Sequence, residues 1–423
     1  MSNKSNKSGK VPRRRFPEFR NAGEWEEKEL REVATILNEK AGSNKFTLMS
    51  ITAGVGLVTQ LEKFGREIAG AQYKNYLVIK NNDFAYNKSA TKEYPEGFIG
   101  IYSGKDPGAV PNSIFTCFRV DEDAALPKYL DYLFSSNLHG KWLKKFITVG
   151  ARAHGSLNID DNDLLALPVP FPQGNASFSE QQKIADCLSS LDDLITAQSK
   201  KLAALKVHKK GLMQQLFPAE GETVPKLRFP EFRDAGDWDR DELGNISMFV
   251  NEKIALGQIK LSSYVSTENI LPDYQGLVFA TKLPLLGSVT RFKINDVLIS
   301  NIRPYLKKVC LAEIDGGASN DIIVVRAINK VTYQFLSFIL RNDGFIEYVM
   351  KGAKGVKMPR GDISLMKEYS VAYPSKPEQQ KIADCLSSLD DLITAQSKKL
   401  AALKVHKKGL MQQLFPVLDE TPA

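Results

Sequence analysis

The sequence predicts an α+β fold in two globular units, separated by a pair of long antiparallel coiled-coil helices in a pseudo-two-fold circular arrangement. Three observations predict it. Residues 180–218 (EQQKIADCLSSLDDLITAQSKKLAALKVHKKGLMQQLFP) recur letter for letter at 378–416, which is 39 residues displaced by 198. Residues 11–25 (VPRRRFPEFRNAGEW) return at 224–238 (VPKLRFPEFRDAGDW), displaced by 213, with 11 of 15 positions identical. Between these shared heads and tails lie two middles that barely resemble each other, each reading as short strands followed by an amphipathic helix. Strands and helices do not alternate regularly, which favours α+β. The chain divides into a basic disordered tail (1–10), a first unit (11–178), a spacer helix (179–218), a second unit (219–376), a second spacer helix (377–416) and a short tail (417–423).

The repeat reads as one long helix. Ser179 with Gln182 matches a capping box, and so does Ser375 with Glu378, with Pro377 in the first turn. Apolar positions step by alternating fours and threes through Ile184, Leu188, Leu191, Ile195, Gln198, Leu202, Leu205, Lys209, Leu212 and Leu216. That is a heptad seam with two polar interruptions. The second copy repeats it through Ile382, Leu386, Leu389, Ile393, Gln396, Leu400, Leu403 and Leu410, ending at Leu414. Pro218 and Pro416 stop the helices. At 1.5 Å per residue each is about 55 Å long. Pairing with another chain is one reading. Connectivity favours pairing within the chain, where the second helix runs back toward the first unit and the pair is antiparallel. A rod with a module at each end would result. Gln198 and Gln396 then lie near mid-helix, either fixing register across the seam or merely solvated. Cys187 and Cys385 fall at opposite ends and should not bridge.

In the middles, residues 76–80, 83–86, 296–300 and 321–326 read as strands. A helix opens at Leu126-Pro127 and carries Tyr129, Leu130, Leu133, Phe134, Leu138 and Trp142 at helical spacing. Its counterpart runs from about Thr332 to Met350. These aromatics are expected in the core. Lys80, Asn82 and Asp83 match Lys293, Asn295 and Asp296 at the same offset of 213 as the heads, and residues 150–152 match 352–354. The middles are two versions of one fold.

Composition bounds the partner. The net charge is +8, yet residues 1–20 carry seven Lys/Arg against one Glu, so the body is nearly neutral. An acidic partner must therefore meet local basic patches. Residues 141–159 hold Lys141, Lys144, Lys145 and Arg152 and no acid, and residues 348–361 hold Lys351, Lys354, Lys357 and Arg360 and no acid. Both runs follow the amphipathic helix into a Gly-containing loop, where backbone amides and cations can approach phosphates. Each run taken alone could be a solvated face. Their recurrence at one place in both units favours DNA. A third patch follows a strand and includes Ser300, Asn301, Arg303, Tyr305, Lys307 and Lys308. Asn87, Lys88 and Ser89 hold its place in the first unit. Arg303 has the chemistry to read guanine bidentately, and Asn87 or Asn301 to read adenine.

Catalytic signals are missing. The sequence has no GxxxxGK[ST] loop, and Gly54-Val55-Gly56 lacks a third glycine at the right spacing, which suggests a turn. No Asn/Asp-Pro-Pro-aromatic motif occurs, and the four histidines have no metal-ligand spacing. The four cysteines include no CxxC pair, so neither zinc nor a redox dithiol is suggested. The start is polar and basic, unlike a secretory signal, and no apolar run approaches the roughly 18 residues a membrane span needs. A cytoplasmic chain with reduced thiols is expected.

Two variable regions, each followed by a near-identical helix containing EQQKIA, resemble the specificity subunit of type I restriction–modification systems. The resemblance spans residues 11–416 and rests on 16–25 and 229–238, on 167–172 and 369–374 before the helices, and on the helices themselves. Residues 299–308 (ISNIRPYLKK) also look like a block of these domains. The resemblance implies a non-catalytic chain with two target-recognition domains, each reading half of an asymmetric bipartite site on double-stranded DNA. It implies two modification subunits, which bind S-adenosylmethionine and methylate adenine, and restriction subunits that use ATP and Mg. No cofactor is then expected in this chain. The helices would act as ruler and docking surface. The ruler would place half-sites about one DNA turn, roughly 34 Å, apart. An alternative is a scaffold whose two modules bind two proteins. A third reading puts a methyltransferase site in one middle.

Overall fold

The computed structural model describes residues 11–52, 54–147 and 157–416. Two compact units emerge: Met1–Ser199 with Lys399–Ala423, and Lys200–Lys398. The boundaries cut both long helices near their middles. Each helix therefore gives its first half to one unit and its second half to the other, where the sequence reading treated it as a separate spacer.

Unit 1 is built on three antiparallel or mixed layers. Trp25–Glu29 pairs with Pro168–Pro172 in a two-stranded ribbon. Prolines are confined to edge positions because they cannot donate to a ladder, and among the described residues this ribbon has no third strand. A four-stranded antiparallel sheet runs in the order Ala34–Ile36, Phe115–Val120, Phe84–Asn87, Phe98–Ile101. A second sheet orders Gly56–Thr59, Thr47–Thr52, Gly108–Val110 and Leu77–Ile79, with Thr47–Thr52 and Gly108–Val110 parallel. Gly54 (φ 77°) and Gly56 (φ 109°) form the turn that the glycine pair suggested. The main core joins Phe84, Phe118, Tyr129 and Phe134 to Trp25, Phe171, Ile184 and Leu188.

Unit 2 repeats this plan. Asp239–Glu242 pairs with Ser370–Tyr373. Its antiparallel sheet orders Ser247–Phe249, Ile322–Ala327, Val297–Ser300 and Val309–Leu311. The second sheet orders Lys253–Ala255, Ser288–Phe292, Gly316–Ala318 and Tyr264–Val265, again with one parallel pair, Tyr264–Val265 with Gly316–Ala318. The outer strand differs. Unit 1 adds a hairpin partner to its parallel strand, whereas unit 2 adds Lys253–Ala255 to Ser288–Phe292. The middles diverge here.

The shared Lys-x-Asn-Asp has a physical explanation. Asn82 (φ 69°) and Asn295 (φ 72°) take the left-handed turn position, which asparagine tolerates better than most residues. Asp83 then accepts from the Lys80 amide at 2.6 Å, and its two oxygens take Arg119 at 2.6 and 2.8 Å. Asp296 repeats this with the Lys293 amide and Arg326. Both carboxylates are buried, so the bidentate arginine and the amide satisfy them where water does not reach.

The predicted middle helix is two helices in each unit. Pro127–Ser135 and Leu138–Leu143 are separated at Asn137, whose φ of 62° is incompatible with a continuous α-helix. Tyr333–Leu340 and Asp343–Lys351 are separated at Asn342, whose side chain caps the second helix by accepting from the Gly344 amide. The long helices run Ser177–Leu216 and Lys376–Leu414; the first enters slightly before its expected cap Ser179, and the second starts directly after its expected cap Ser375.

Within each unit the two half-helices are antiparallel. In unit 1, Ile184 and Leu188 share a core with Leu414 and Phe415, and Lys407 reaches Asp192 at 2.5 Å. In unit 2, Ile382 and Leu386 share a core with Leu216 and Phe217, and Lys209 reaches Asp390 at 2.5 Å. The remaining seam residues Leu191, Ile195, Leu202, Leu205, Leu212, Leu389, Ile393, Leu400, Leu403 and Leu410 are half-buried, as the inner edge of a two-helix contact should be. Gln198 and Gln396 are also half-buried, with their amide oxygens shut away from water. All four cysteines are free.

The heads dock on the helix starts. Arg15 Nε and Nη2 donate to the two oxygens of Glu180, both at 2.6 Å, with side-chain exposures of 6% and 1%. Arg228 grips Glu378 the same way at 2.7 and 2.8 Å. Replacing Glu180 by Gln strands a buried guanidinium and should cost about 3 kcal/mol. Breaking the exposed pair Lys183–Glu18 with Lys183→Gln should shift stability far less, because solvent screens it. Urea denaturation of both variants checks this; equal small shifts would refute the ranking.

His139 gives a pH prediction. It is fully buried, its Nδ1 has no partner among the described residues, and burial pulls its pKa down to about 4 despite a contact to the Gly97 carbonyl. The unfolded imidazole titrates near ~6.5, so protons bind the unfolded chain first. Stability is therefore complete above about 6.5 and declines as pH falls toward about 4. Denaturation curves for the native chain and His139→Gln should diverge in slope across that window; parallel slopes would exclude it.

Candidate nucleic-acid interface

In unit 2, two sequence-distant basic stretches meet. Val297–Ser300 delivers the chain into a turn held on three sides. The Asn301 amide donates to the Asp321 carbonyl at 2.8 Å, and the Arg303 amide to the Pro359 carbonyl at 2.8 Å. Gly361 donates back to the Asn301 carbonyl, and Ile302 forms a bridge with Arg360. On the other side, the Asp273 and Tyr274 amides donate to the carbonyls of Leu306 and Lys307. The turn needs such support. Arg303 and Lys307 both sit at φ 53°, a region that costs a non-glycine residue roughly 1–2 kcal/mol. Non-glycine strain of this kind clusters at functional sites.

The second stretch closes a small hairpin, with Lys354 and Arg360 exchanging both amide–carbonyl hydrogen bonds. Gly355 (φ 101°) permits its turn. Val356, Lys357 and Met358 project from the tip and are exposed. The predicted residues 301–308 and 351–360 thus form one surface.

Not every predicted cation points outward unpaired. Lys354 pairs with Asp362 at 2.9 Å and Arg360 with Asp321 at 3.0 Å. Lys307 pairs with Asp343 at 2.7 Å, and Lys308 donates to the Thr267 carbonyl at 2.6 Å. Arg303, Tyr305, Lys351 and Lys357 are exposed, and no acid pairs with the three cations among the described residues. Ser300 corrects the expectation for that position. It is buried, and its hydroxyl donates to the Ile302 carbonyl, so it braces the turn from inside. Asn301 is half-buried with its amide oxygen shielded.

Unit 1 builds the equivalent place differently. Lys88 pairs with Asp161 at 3.3 Å and is only partly exposed, while its backbone donates to Ile114 and accepts from Leu157. Asn87 accepts from the Ser89 amide through its side-chain oxygen at 3.1 Å. Lys141 and Lys144 are exposed, and the Lys145 ammonium lies 4.9 Å over the Trp142 ring. The Trp142 indole donates to the Asp163 carbonyl, so the helix bearing Lys141 and the segment facing Lys88 share one neighbour, Asp161–Leu165. Arg152 lies outside the described residues, as does the match at 150–152.

Sequence reading missed two exposed apolar elements. Residues 277–287 of unit 2 present Phe279, Leu285 and Leu286, and unit 1 presents Val55 at its hairpin turn with Leu61 and Phe64 beside it. Segment 276–293 contains no acidic residue and only scattered cations, so no basic run marks it in the sequence.

The site offers cations, backbone amides and apolar tips, and no reacting group. Burial pushes the Cys117 thiol well up and the Cys310 thiol to about 12, so neither is a ready nucleophile. Among the described residues no His/Cys/Asp/Glu group could hold a metal ion. No helix among them is long and apolar enough to cross a membrane.

Comparison with known proteins agrees with this geometry. The type I restriction modification DNA specificity domain pattern matches residues 22–207 and 282–405, together more than half the chain. The putative type I restriction enzyme MjaX specificity subunit of Methanocaldococcus jannaschii is 27% identical over 419 residues, covering 93% of each chain. The type I restriction enzyme EcoDI specificity subunit of Escherichia coli is 22% identical over 341 residues, covering 72% of this chain and 71% of that one. The crystal structure of the type I restriction-modification S subunit from M. genitalium matches with a TM-score of 0.58 at 16% identity, over 97% of this chain and 100% of that chain. A chain from a study of type I R-M complex assembly matches with a TM-score of 0.54 at 15% identity, over 93% and 97%. With two copies of one mixed fold, two long repeated helices and a family pattern matched in both halves, the chain belongs to the type I restriction modification DNA specificity domain family.

Proposed function

We propose that the chain is the DNA sequence-recognition subunit of a type I restriction–modification complex, each unit reading one half of an asymmetric bipartite site. The observation that carries this is the turn-and-hairpin surface of unit 2. There, segments some 50 residues apart converge, at the expense of strained backbone, to present Arg303, Tyr305, Lys351 and Lys357 to solvent. Exposed Lys and Arg held by backbone-braced loops suit phosphate binding, and a bidentate arginine suits a guanine edge. Unit 1 offers a different set at the same place, so the two halves of the site should differ. Family membership makes the chain a non-catalytic specificity subunit.

The helices support the partner reading. Leu194 and Val207 face solvent on the first helix, and Leu392 and Val405 do so on the second. A partner that recognises one helix meets the same residues on the other, which favours two copies of one modification subunit. S-adenosylmethionine, ATP and Mg would be held by modification and restriction subunits, and the complex would work in the cytoplasm with the helices setting the gap between half-sites.

Long-read sequencing of DNA from cells expressing this chain with a cognate modification subunit should show adenine methylation at one split, asymmetric motif. No motif from an assembled complex would favour the protein scaffold. Exchanging residues 41–153 for another subunit's equivalent should change one half-site only. A change in both would contradict independent reading.

Single substitutions separate roles within unit 2. Arg303→Ala should cost about 1–3 kcal/mol of affinity and relax one position of the motif. Lys357→Ala should weaken all sequences alike and lower the salt slope of binding by about one. Binding isotherms at several salt concentrations check both, and the assignment falls if Lys357→Ala leaves the slope unchanged.

A further inference from the structure

We propose that Leu285 and Leu286 form an apolar base-reading tip in unit 2, meeting thymine methyl groups of its half-site. The proposal rests on the DNA-recognition reading above. The two side chains are 97% and 90% exposed, and Phe279 nearby is 79% exposed. Adjacent leucines this bare are unusual on a soluble surface and mark an interaction site.

The tip is presented by a built loop. Ala280 is buried and Leu283 half-buried in a small core with Leu256, Tyr264 and Val289. The Val278 amide donates to the Asn269 carbonyl at one end, and the Leu256 amide to the Gly287 carbonyl at the other. Gly287 (φ 131°) lets the chain turn back after the leucines.

Charge identifies the occupant. From Gly276 to Lys293 the chain carries Lys282, Arg291 and Lys293 and no acid; Arg291 pairs with Glu252 at 2.9 Å, and the exposed Lys282 and Lys293 remain to suit a polyanion. The preceding segment is joined to the recognition turn, through the amides of Asp273 and Tyr274 on Leu306 and Lys307. The segment that leads into the loop is thus tethered to the recognition turn. Leucine has nothing to offer phosphate. In an intact major groove the thymine C5-methyl is the apolar feature of a base edge.

The test uses the complete complex with its modification subunits and a duplex carrying the motif found by methylation mapping. The half-site of unit 2 is fixed by the exchange of residues 41–153. Thymines in that half-site are replaced one at a time by uracil, which removes only the methyl group. At least one replacement should weaken native binding roughly fivefold, the equivalent of one buried methyl. The Leu285→Ser/Leu286→Ser double variant should lose a similar factor on the intact duplex and become indifferent to uracil at that position. Its salt slope should be unchanged, because no charge is removed. Leu285→Met/Leu286→Met, which keeps the tip apolar, should retain discrimination.

Native-like binding by the serine variant would overturn the proposal, as would a uracil effect that persists in it or a half-site lacking a uracil-sensitive thymine. Failure of the serine variant to assemble with modification subunits would make the tip a protein-docking element and also overturn it. Absence of any motif for the native chain would instead defeat the DNA-recognition reading itself.

Discussion

Two buried arginine–glutamate pairs hold the frame in register. Arg15 on Glu180 and Arg228 on Glu378 each join a head segment to the first turn of a long helix, with both charges nearly removed from water. A third tie accompanies each pair, since Arg15 and Arg228 also donate to the carbonyls of Gly23 and Gly236. The next helix residue completes the junction. Gln181 accepts from the Leu126 amide and Gln379 from the Thr332 amide, so each glutamine fixes the entry to the helices of its own middle. One helical turn thereby positions head, helix and middle together. A buried ion pair adds little over a well-packed apolar contact, yet neither partner can be lost alone. Such a pair specifies geometry more than it stabilises, which suits a frame built twice.

The same helix residues meet different neighbours in the two units. Asp192 accepts from Lys407 and from the Tyr132 hydroxyl, whereas Asp390 accepts from Lys209 and from Arg341. The consequence is electrostatic. Burial and the nearby Arg341 pull Lys209 down to about 8, against the opposing pull of Asp390. Tyr132 is moved the other way, because burial and its hydrogen bond to Asp192 disfavour the phenolate. A frame identical in sequence is thus not identical in chemistry, since each middle supplies one side of the junction.

Much of the frame was legible because its signals are local. The verbatim repeat, the heptad spacing and the turn-forming Lys-x-Asn-Asp all act within a few residues, and each has a local physical cause. The site was legible only in outline. The basic runs contain no acid in sequence, but Asp161, Asp321 and Asp343 reach Lys88, Arg360 and Lys307 from elsewhere in the fold, and Asp362, just past the end of its run, takes Lys354. Tertiary pairing decides which cations remain for a ligand, and no local pattern contains it. Ser300 reads in sequence as part of the third basic patch, yet it closes a strand and is buried. The left-handed backbone at Arg303 and Lys307 is imposed by three separate segments and leaves no mark on the residues themselves. Asn137 and Asn342 each broke a continuous apolar periodicity, one through its own dihedral and one through a side-chain cap.

How far the reading surface can vary without disturbing the frame depends on what joins them. Most junction contacts involve heads, helix starts and the Leu126 or Thr332 entry, none of which belongs to a recognition turn. One link crosses over. Asp343 takes Lys307 of the turn at 2.7 Å and Lys210 of the long helix at 3.0 Å. Burial would raise that carboxyl, but the two ammonium groups outweigh it and hold it below the usual carboxylate range. The bridge is partly exposed, so its strength falls with salt and with solvent screening. A turn attached to the frame by so modest a bond, and otherwise braced mainly by backbone hydrogen bonds, with the Ser300 hydroxyl and the Lys308 ammonium as inward side-chain braces, can exchange its outward residues freely. The backbone keeps the shape while the side chains set the target. That division explains how a repeated helix and two unrelated surfaces coexist in one chain.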